Sequence, residues 1–370
     1  FAFHWQATRA READVIYDTV RSRRDTARNR GECGLWVWDL AGGRVFVMDA
    51  GTRVSAISVA TGERQWIVDL TPEREDRGGF GGGLAFERGR LYVATGYGEM
   101  LALDPASGAV TWRVRVGTPI RGAPVVEGNR VLAVTLDNQL HALNSETGRV
   151  EWTHAGIVEN AAVLSATSPA VDSGTVVVPY SSGEIYALRA SNGAVAWGDQ
   201  LVKSGRLSSV AAMNNIAGQP VIDRGRVYAA SHSGRMVSID LRTGERVWER
   251  DLSSLQSPWV AGDFVYVVTV DAEVVCMSRN DGRIRWVQPL PRFRDPESKG
   301  NKGPIAWFGP VLAGDRLVLL SSNSDAVSIS PYSGDILGRL RLGNAAAAGP
   351  VVADGVLYIL TDDAKLTALK

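Results

Sequence analysis

Four histidines are the first residues to question for chemistry: His4, His141, His154 and His232. No two stand at metal-ligand spacing, and none pairs with an adjacent carboxylate motif that would make it a general base. Each reads as a turn or strand residue. Asp104, Asp240, Asp362 and Asp363 fall in turns between strand-like runs, where an aspartate caps its own backbone. Ser165, Ser208 and Ser209 lack the context of a nucleophile elbow. The run Gly78-Gly79-Phe80-Gly81-Gly82-Gly83 has the glycine content of a phosphate cradle. No Lys-Ser/Thr follows it, and Leu84-Ala85-Phe86 reads as a strand, so there is no helix N-terminus to hold a phosphate. Cys33 and Cys276 form no C-x-x-C pair, which argues against zinc or dithiol chemistry. They read as free thiols, with one disulfide between them as the alternative. No catalytic, metal or cofactor-binding residue is expected.

What the chain does carry is a spacing. Gly, three residues, then Trp recurs as Gly62–Trp66, Gly108–Trp112, Gly148–Trp152, Gly193–Trp197, Gly244–Trp248 and Gly282–Trp286, with a further copy at Gly34–Trp38. A copy at Gly334 has Gly338 in place of Trp. A period of about 40–50 residues marks a repeat architecture, whose units stack into one core. Around each Gly-x-x-x-Trp lie short runs rich in Val, Ile, Leu and Tyr, such as Gly89-Arg90-Leu91-Tyr92-Val93 and Arg235-Met236-Val237-Ser238-Ile239-Asp240. Related runs begin at Gly43, Gly128, Gly174, Gly225, Gly262, Gly314 and Gly355. Four short strands per repeat, with turns every 8–12 residues or so, predict an all-β propeller of eight four-stranded antiparallel blades. The repeated Gly is expected at positive φ in the turn between the third and fourth strands. Trp38, Trp66, Trp112, Trp152, Trp197, Trp248 and Trp286 are expected on outermost strands, packing over the neighbouring blade.

The last copy, Val356–Lys370, stops before its Gly/Trp segment. Gly34–Leu40 is expected to supply it, so that both termini share the eighth blade and no sheet edge stays open. That leaves no room between Trp38 and Arg44 for an innermost strand of the first blade. Either residues are missing from the chain there, the reading preferred here, or the blade lacks that strand. Residues 31–370 are assigned to the propeller and 1–30 to an N-terminal extension. Ala13, Ile16, Tyr17 and Val20 would line one face of a helix there, a tail without fixed structure being the alternative. Two connections exceed what the repeat needs, Gln200–Gln219 and Pro289–Pro304, and long loops on a rigid scaffold tend to bind. Lys plus Arg and Asp plus Glu are 40 each, so no chain-wide basic field attracts nucleic acid. No run reaches the ~20 apolar residues of a membrane-spanning helix, and no secretory signal is present; the start at Phe1 reads as a mature or trimmed product.

The element Ala-x-Asp-x-x-Thr/Ser-Gly-x-x-x-Trp, clearest at Ala102–Trp112 and, with Ser first, at Ser238–Trp248, resembles the quinoprotein-type propeller repeat. The blade order from Gly43 onward is similar to the BamB family of outer-membrane assembly lipoproteins, in its alphaproteobacterial form. Arg44–Ala50, Ser181–Glu184, Ser231–Met236, Pro258–Asp263 and Leu360–Asp363 carry that likeness. The resemblance implies a non-enzymatic scaffold of the outer-membrane β-barrel assembly (BAM) complex at the periplasmic face of the outer membrane. It also implies binding to the POTRA domains of BamA, service to unfolded outer-membrane proteins, and a lipidated N-terminal cysteine. Cys33, preceded by Asn29-Arg30-Gly31-Glu32, lacks a lipobox, so the anchor is not visible in this chain. The implied BamA patch falls on Val163, Leu164, Ser165, Glu184, Leu255 and Ser257. A family arginine lies opposite Leu164, and a basic position opposite Glu184. The competing readings are a quinone-dependent dehydrogenase of the same fold, which would use an adjacent cysteine pair that this chain lacks, and another propeller adaptor.

Overall fold

In the computed structural model the repeats form eight four-stranded antiparallel sheets, with one further two-stranded hairpin. The structure describes residues 15–17, 37–41, 43–49, 51–75, 81–158, 168–202, 215–297, 302–346, 348–353, 355–363 and 365–369. All elements among them are strands. Blades one to seven are continuous segments: Val37–Asp69, Gly82–Arg115, Val125–Ala155, Ala170–Gln200, Val221–Asp251, Trp259–Pro289 and Trp307–Arg341. The first strands of successive blades lie against one another and so ring the axis.

The burial pattern explains the sequence pattern. Second and third strands, such as Arg130–Val134 and Gln139–Asn144, are buried along nearly their whole length because neighbouring blades cover both faces. They therefore read as unbroken apolar runs. Outermost strands, such as Val110–Arg115 and Val150–Ala155, are covered on one side and alternate. The core consists of inter-blade clusters. Val45, Val47 and Ile57 of the first blade pack with Tyr358, Leu360 and Leu366 of the last, which closes the ring. Cys276 is buried and free within such a layer, while Cys33 lies outside the described residues.

The eighth blade is shared between the termini, but by a different segment from the one expected. Val15–Tyr17 pairs antiparallel with Leu366–Ala368 and completes the sheet of Val351–Ala353, Val356–Leu360 and Leu366–Leu369. Val37–Ala41 is instead the innermost strand of the first blade, with Ala41 opposite Arg44 and Trp38 opposite Val47. Trp38 is therefore not an outer-rim residue, and the blade lacks no strand. The physical reason is local: Gly43 has φ +74°, like Gly89 and Gly225 in the same turn of other blades. A tight hairpin with the next strand closes a far shorter loop than pairing with the C-terminus. The expected helix in 1–30 is likewise replaced, where described, by the extended segment Val15–Tyr17, and the rest of 1–30 lies outside the described residues.

The Gly-x-x-x-Trp spacing couples consecutive repeats. The turn glycines adopt φ of +72° at Gly148 and Gly193 and +77° at Gly244. Each Trp lies beneath the turn glycine of the next blade. A Cβ on Gly108, Gly148, Gly193, Gly244, Gly282 or Gly334 would come within 2.6–2.8 Å of the indole of Trp66, Trp112, Trp152, Trp197, Trp248 or Trp286 respectively. Each indole N–H also donates to a carbonyl of that next turn, for example Trp152 to Ala190 O at 3.1 Å and Trp197 to Leu241 O at 2.7 Å.

Candidate partner-binding face

Antiparallel strands sort the turns between two faces. The turns joining first to second and third to fourth strands share one face. The turns joining second to third strands share the opposite face with every inter-blade connection. That second face, the connection face, carries the described ends of the long connections, residues 156–158, 168–169, 201–202, 215–220, 290–297 and 302–306. Among the residues expected to meet a partner, Glu184, Leu255 and Ser257 stand at this face.

Val163, Leu164 and Ser165 lie outside the described residues. Leu255 and Ser257 are exposed on the connection between blades five and six. Ser254 beneath them is fully buried: its Oγ donates to Val268 O at 2.8 Å and accepts from Gln256 N at 3.0 Å. The Gln219 amide donates to Ser257 Oγ at 2.9 Å, which ties in the end of the preceding connection. Glu184 is a different case. It is only 7% exposed, and its carboxylate accepts hydrogen bonds from Ile157 N at 2.7 Å, Ser182 Oγ at 2.8 Å and Tyr186 OH at 2.9 Å. The likeness on which it was singled out tracked chain position, which does not report side-chain burial.

The structure adds apolar residues that the sequence reading passed over. Ile157 and Val158 are 57% and 65% exposed at the root of the 156–169 connection, and Leu136 is 42% exposed on the adjoining turn. That turn is tied to Ile157, because Asn138 Nδ2 donates to Ile157 O at 2.5 Å. Val270 is exposed beside the Leu255 connection, its amide donating to Ser253 O at 3.1 Å. A signal was available: Leu136 and Val270 occupy turns where other repeats place His232 or Asp362. Interaction surfaces are in general built from exposed apolar residues gathered on one face.

Three imidazoles lie on or near this face. Burial holds His141, His154 and His232 below the usual imidazole range, with Asp137 and Glu184 partly opposing the shift at the first two. A depressed histidine contributes stability that is present above its unfolded value near 6.5 and is lost as pH falls. Asp104, Asp240 and Asp281 are lowered by turn hydrogen bonds from Ser107, Thr243 and Ser278, so their contribution is lost only below about pH 4. The melting temperature is therefore expected to fall by a few degrees between pH 7.5 and 5.5, ahead of carboxylate titration. His154→Gln should flatten part of that slope. A melting temperature level over this interval in both proteins would refute the assignment.

Among the described residues, no group of three or more His, Cys, Asp and Glu side chains is placed to hold a metal ion. Fold and face together define a quinoprotein-type eight-bladed propeller that presents a loop-built apolar surface. A family model described as outer membrane protein assembly factor BamB matches residues 50–288, and the chain belongs to that family. It is 24% identical over 331 residues to BamB of Moranella endobia, covering 88% of this chain and 82% of that one. To BamB of Yersinia pestis it is 25% identical, covering 86% and 80%. The crystal structure of BamB from Moraxella catarrhalis superposes with a TM-score of 0.78 at 22% identity, covering 90% of this chain and 95% of that one. A europium-containing methanol dehydrogenase shares the fold alone, with a TM-score of 0.66 at 14% identity over 90% of this chain and 81% of that one.

Proposed function

We propose that this chain is a non-enzymatic scaffold of the outer-membrane β-barrel assembly machinery, held at the periplasmic face of the outer membrane. Its connection face binds the POTRA domains of BamA. A rigid ring then orients that flexible arm to admit unfolded outer-membrane proteins. Family membership supports the assembly role. The single observation that supports the face is its set of exposed apolar side chains, Leu136, Ile157, Val158, Leu255 and Val270, on otherwise polar turns. Val163, Leu164, Ser165 and Ser257 extend that surface in this reading. Such anchors dominate interface energetics when the partner covers them.

Purified chain should bind isolated BamA POTRA domains. Leu164→Asp, Leu255→Asp and Ile157→Asp should each weaken binding at least about tenfold, a loss of roughly 1.4 kcal/mol. Melting temperatures of the Leu255 and Ile157 variants should stay near that of the unaltered chain, because a charge at these exposed sites is solvated. Titration calorimetry on the folded proteins reads the affinities, and scanning calorimetry reads the melting temperatures. Folded chain that does not bind the POTRA domains refutes the partner, and undiminished affinity in all three variants moves the surface elsewhere.

A further inference from the structure

The junction of blades three and four departs from the repeat in a coordinated way. After the outermost strand, most blades place a buried plug: Leu70, Leu201, Leu252 and Leu290, whose amides donate to Thr52, Gly183, Gly234 and Ala272. The equivalent residue after blade three is Gly156, whose amide donates to Asn138 O. Its missing side chain is replaced from the neighbouring blade, since a Cβ on Gly156 would lie 2.5 Å from the ring of Tyr180. Tyr180 is itself a substitution. Other blades place a small hydroxyl there that caps the following turn, such as Thr95, Ser231, Thr269 and Ser321, accepting from the amides of Glu99, Arg235, Glu273 and Asp325. Large has been exchanged for small on one side of the junction, and small for large on the other.

The polar groups follow. Tyr180 is fully buried; its hydroxyl donates to His154 O at 3.1 Å and lies 2.8 Å from His154 Nδ1. The His154 ring stacks on Tyr180 and lies 4.9 Å from the ring centroid of Tyr186. At the start of the third strand, Glu99 in blade two and Arg235 in blade five approach Arg113 and Glu249, each one residue after the blade Trp. In blade four that partner position is Gly198, and the Tyr186 ring fills it, 2.6 Å from where a Cβ would stand. At that position Glu184 therefore faces Gly198 and the Tyr186 ring in place of an opposite charge. It takes the amide of Ile157 and the hydroxyls of Ser182 and Tyr186 instead.

We propose that Glu184 is a positioning residue for the partner surface. Beneath Ile157 and Val158 it fixes the Ile157 amide so that these two side chains stand out from the face, and it does not itself touch the partner. This deepens the function proposed above and rests on it. A buried carboxylate with three donors is held in one geometry, because releasing any donor leaves a charged oxygen under-satisfied. Asn138 completes the clamp, donating to Ile157 O and accepting from Ser181 N at 3.1 Å.

Two measurements on the full chain test this. Without partner, Glu184→Gln should raise the hydrogen-exchange rate of the Ile157 amide at least tenfold and leave core-strand amides unchanged. With BamA POTRA domains, Glu184→Gln should weaken binding about tenfold, yet by less than twofold when added to Val158→Asp. Unchanged exchange at Ile157 overturns the latch. Full additivity with Val158→Asp overturns it too, since Glu184 would then be a contact in its own right. Should Glu184→Gln fail to fold, Tyr186→Phe and Ser182→Ala each remove one donor, and the same measurements should change two- to fivefold. If Glu184→Gln shows the stated exchange response but the wild-type chain does not bind POTRA domains, the partner is overturned, and with it the assignment of the latch to that surface. Lost exchange response with intact binding overturns the latch alone.

Discussion

Gly193→Val is expected to destabilise the ring by about 2–5 kcal/mol. Two costs combine. A side chain in the left-handed region loses roughly 1–2 kcal/mol, and Gly193 sits at φ +72°. Overpacking a filled site loses roughly another 1–3 kcal/mol, and a Cβ here would meet Trp152 at 2.6 Å. Gly174→Val separates the two. Gly174 has φ +80°, but a Cβ on it would meet no heavy atom within 4 Å, so only the backbone cost applies. Urea unfolding of both variants gives the difference. Equal losses would show that the indole slot is not what demands glycine in the repeat.

Trp248→Ala should cost about 3–5 kcal/mol, the range for deleting a buried aromatic. The indole is 6% exposed, packs under Gly282, and donates to Arg279 O at 2.9 Å. Its loss removes the apolar area and one of that carbonyl's donors, the other being Arg226 Nη1 at 3.0 Å. Trp248→Phe keeps most of the area and removes only the N–H, so roughly 1–1.5 kcal/mol is expected. The seventh blade is the natural comparison. Its Trp position is Gly338, where an added Cβ would meet only Ser328 Oγ, at 3.3 Å. Hydrogen exchange at the outermost strand Ile336–Arg341 should therefore be faster than at Arg246–Asp251. A loss below about 1 kcal/mol for Trp248→Ala would show that the coupling of consecutive repeats is not carried by the indole.

Much of the fold was legible from the chain because its determinants are short-range. The positive-φ glycine, the capping turn residues and the unbroken apolar runs each act within a few positions. The same logic misassigned Gly34–Leu40. The local Gly-x-x-x-Trp match was real, but the hairpin at Gly43 is equally local and competes for the same strand. Val15–Tyr17 carries no repeat signature, so nothing in its own residues announces that it completes the last sheet.

The connection face divides along the same line. Its location follows from strand alternation and could be read from the order of elements. Its composition could not, because whether Glu184 points inward or Ile157 outward depends on residues far along the chain: Gly156 opposite Tyr180, Gly198 opposite Tyr186. Repeat number, turn chemistry and the absence of an adjacent cysteine pair were written in consecutive residues. Which strand seals the ring, and which side chains remain uncovered on its connection face, came from long-range competition for the same neighbours. Such competition turns on burial and loop closure across the whole ring, terms to which no single segment holds the key.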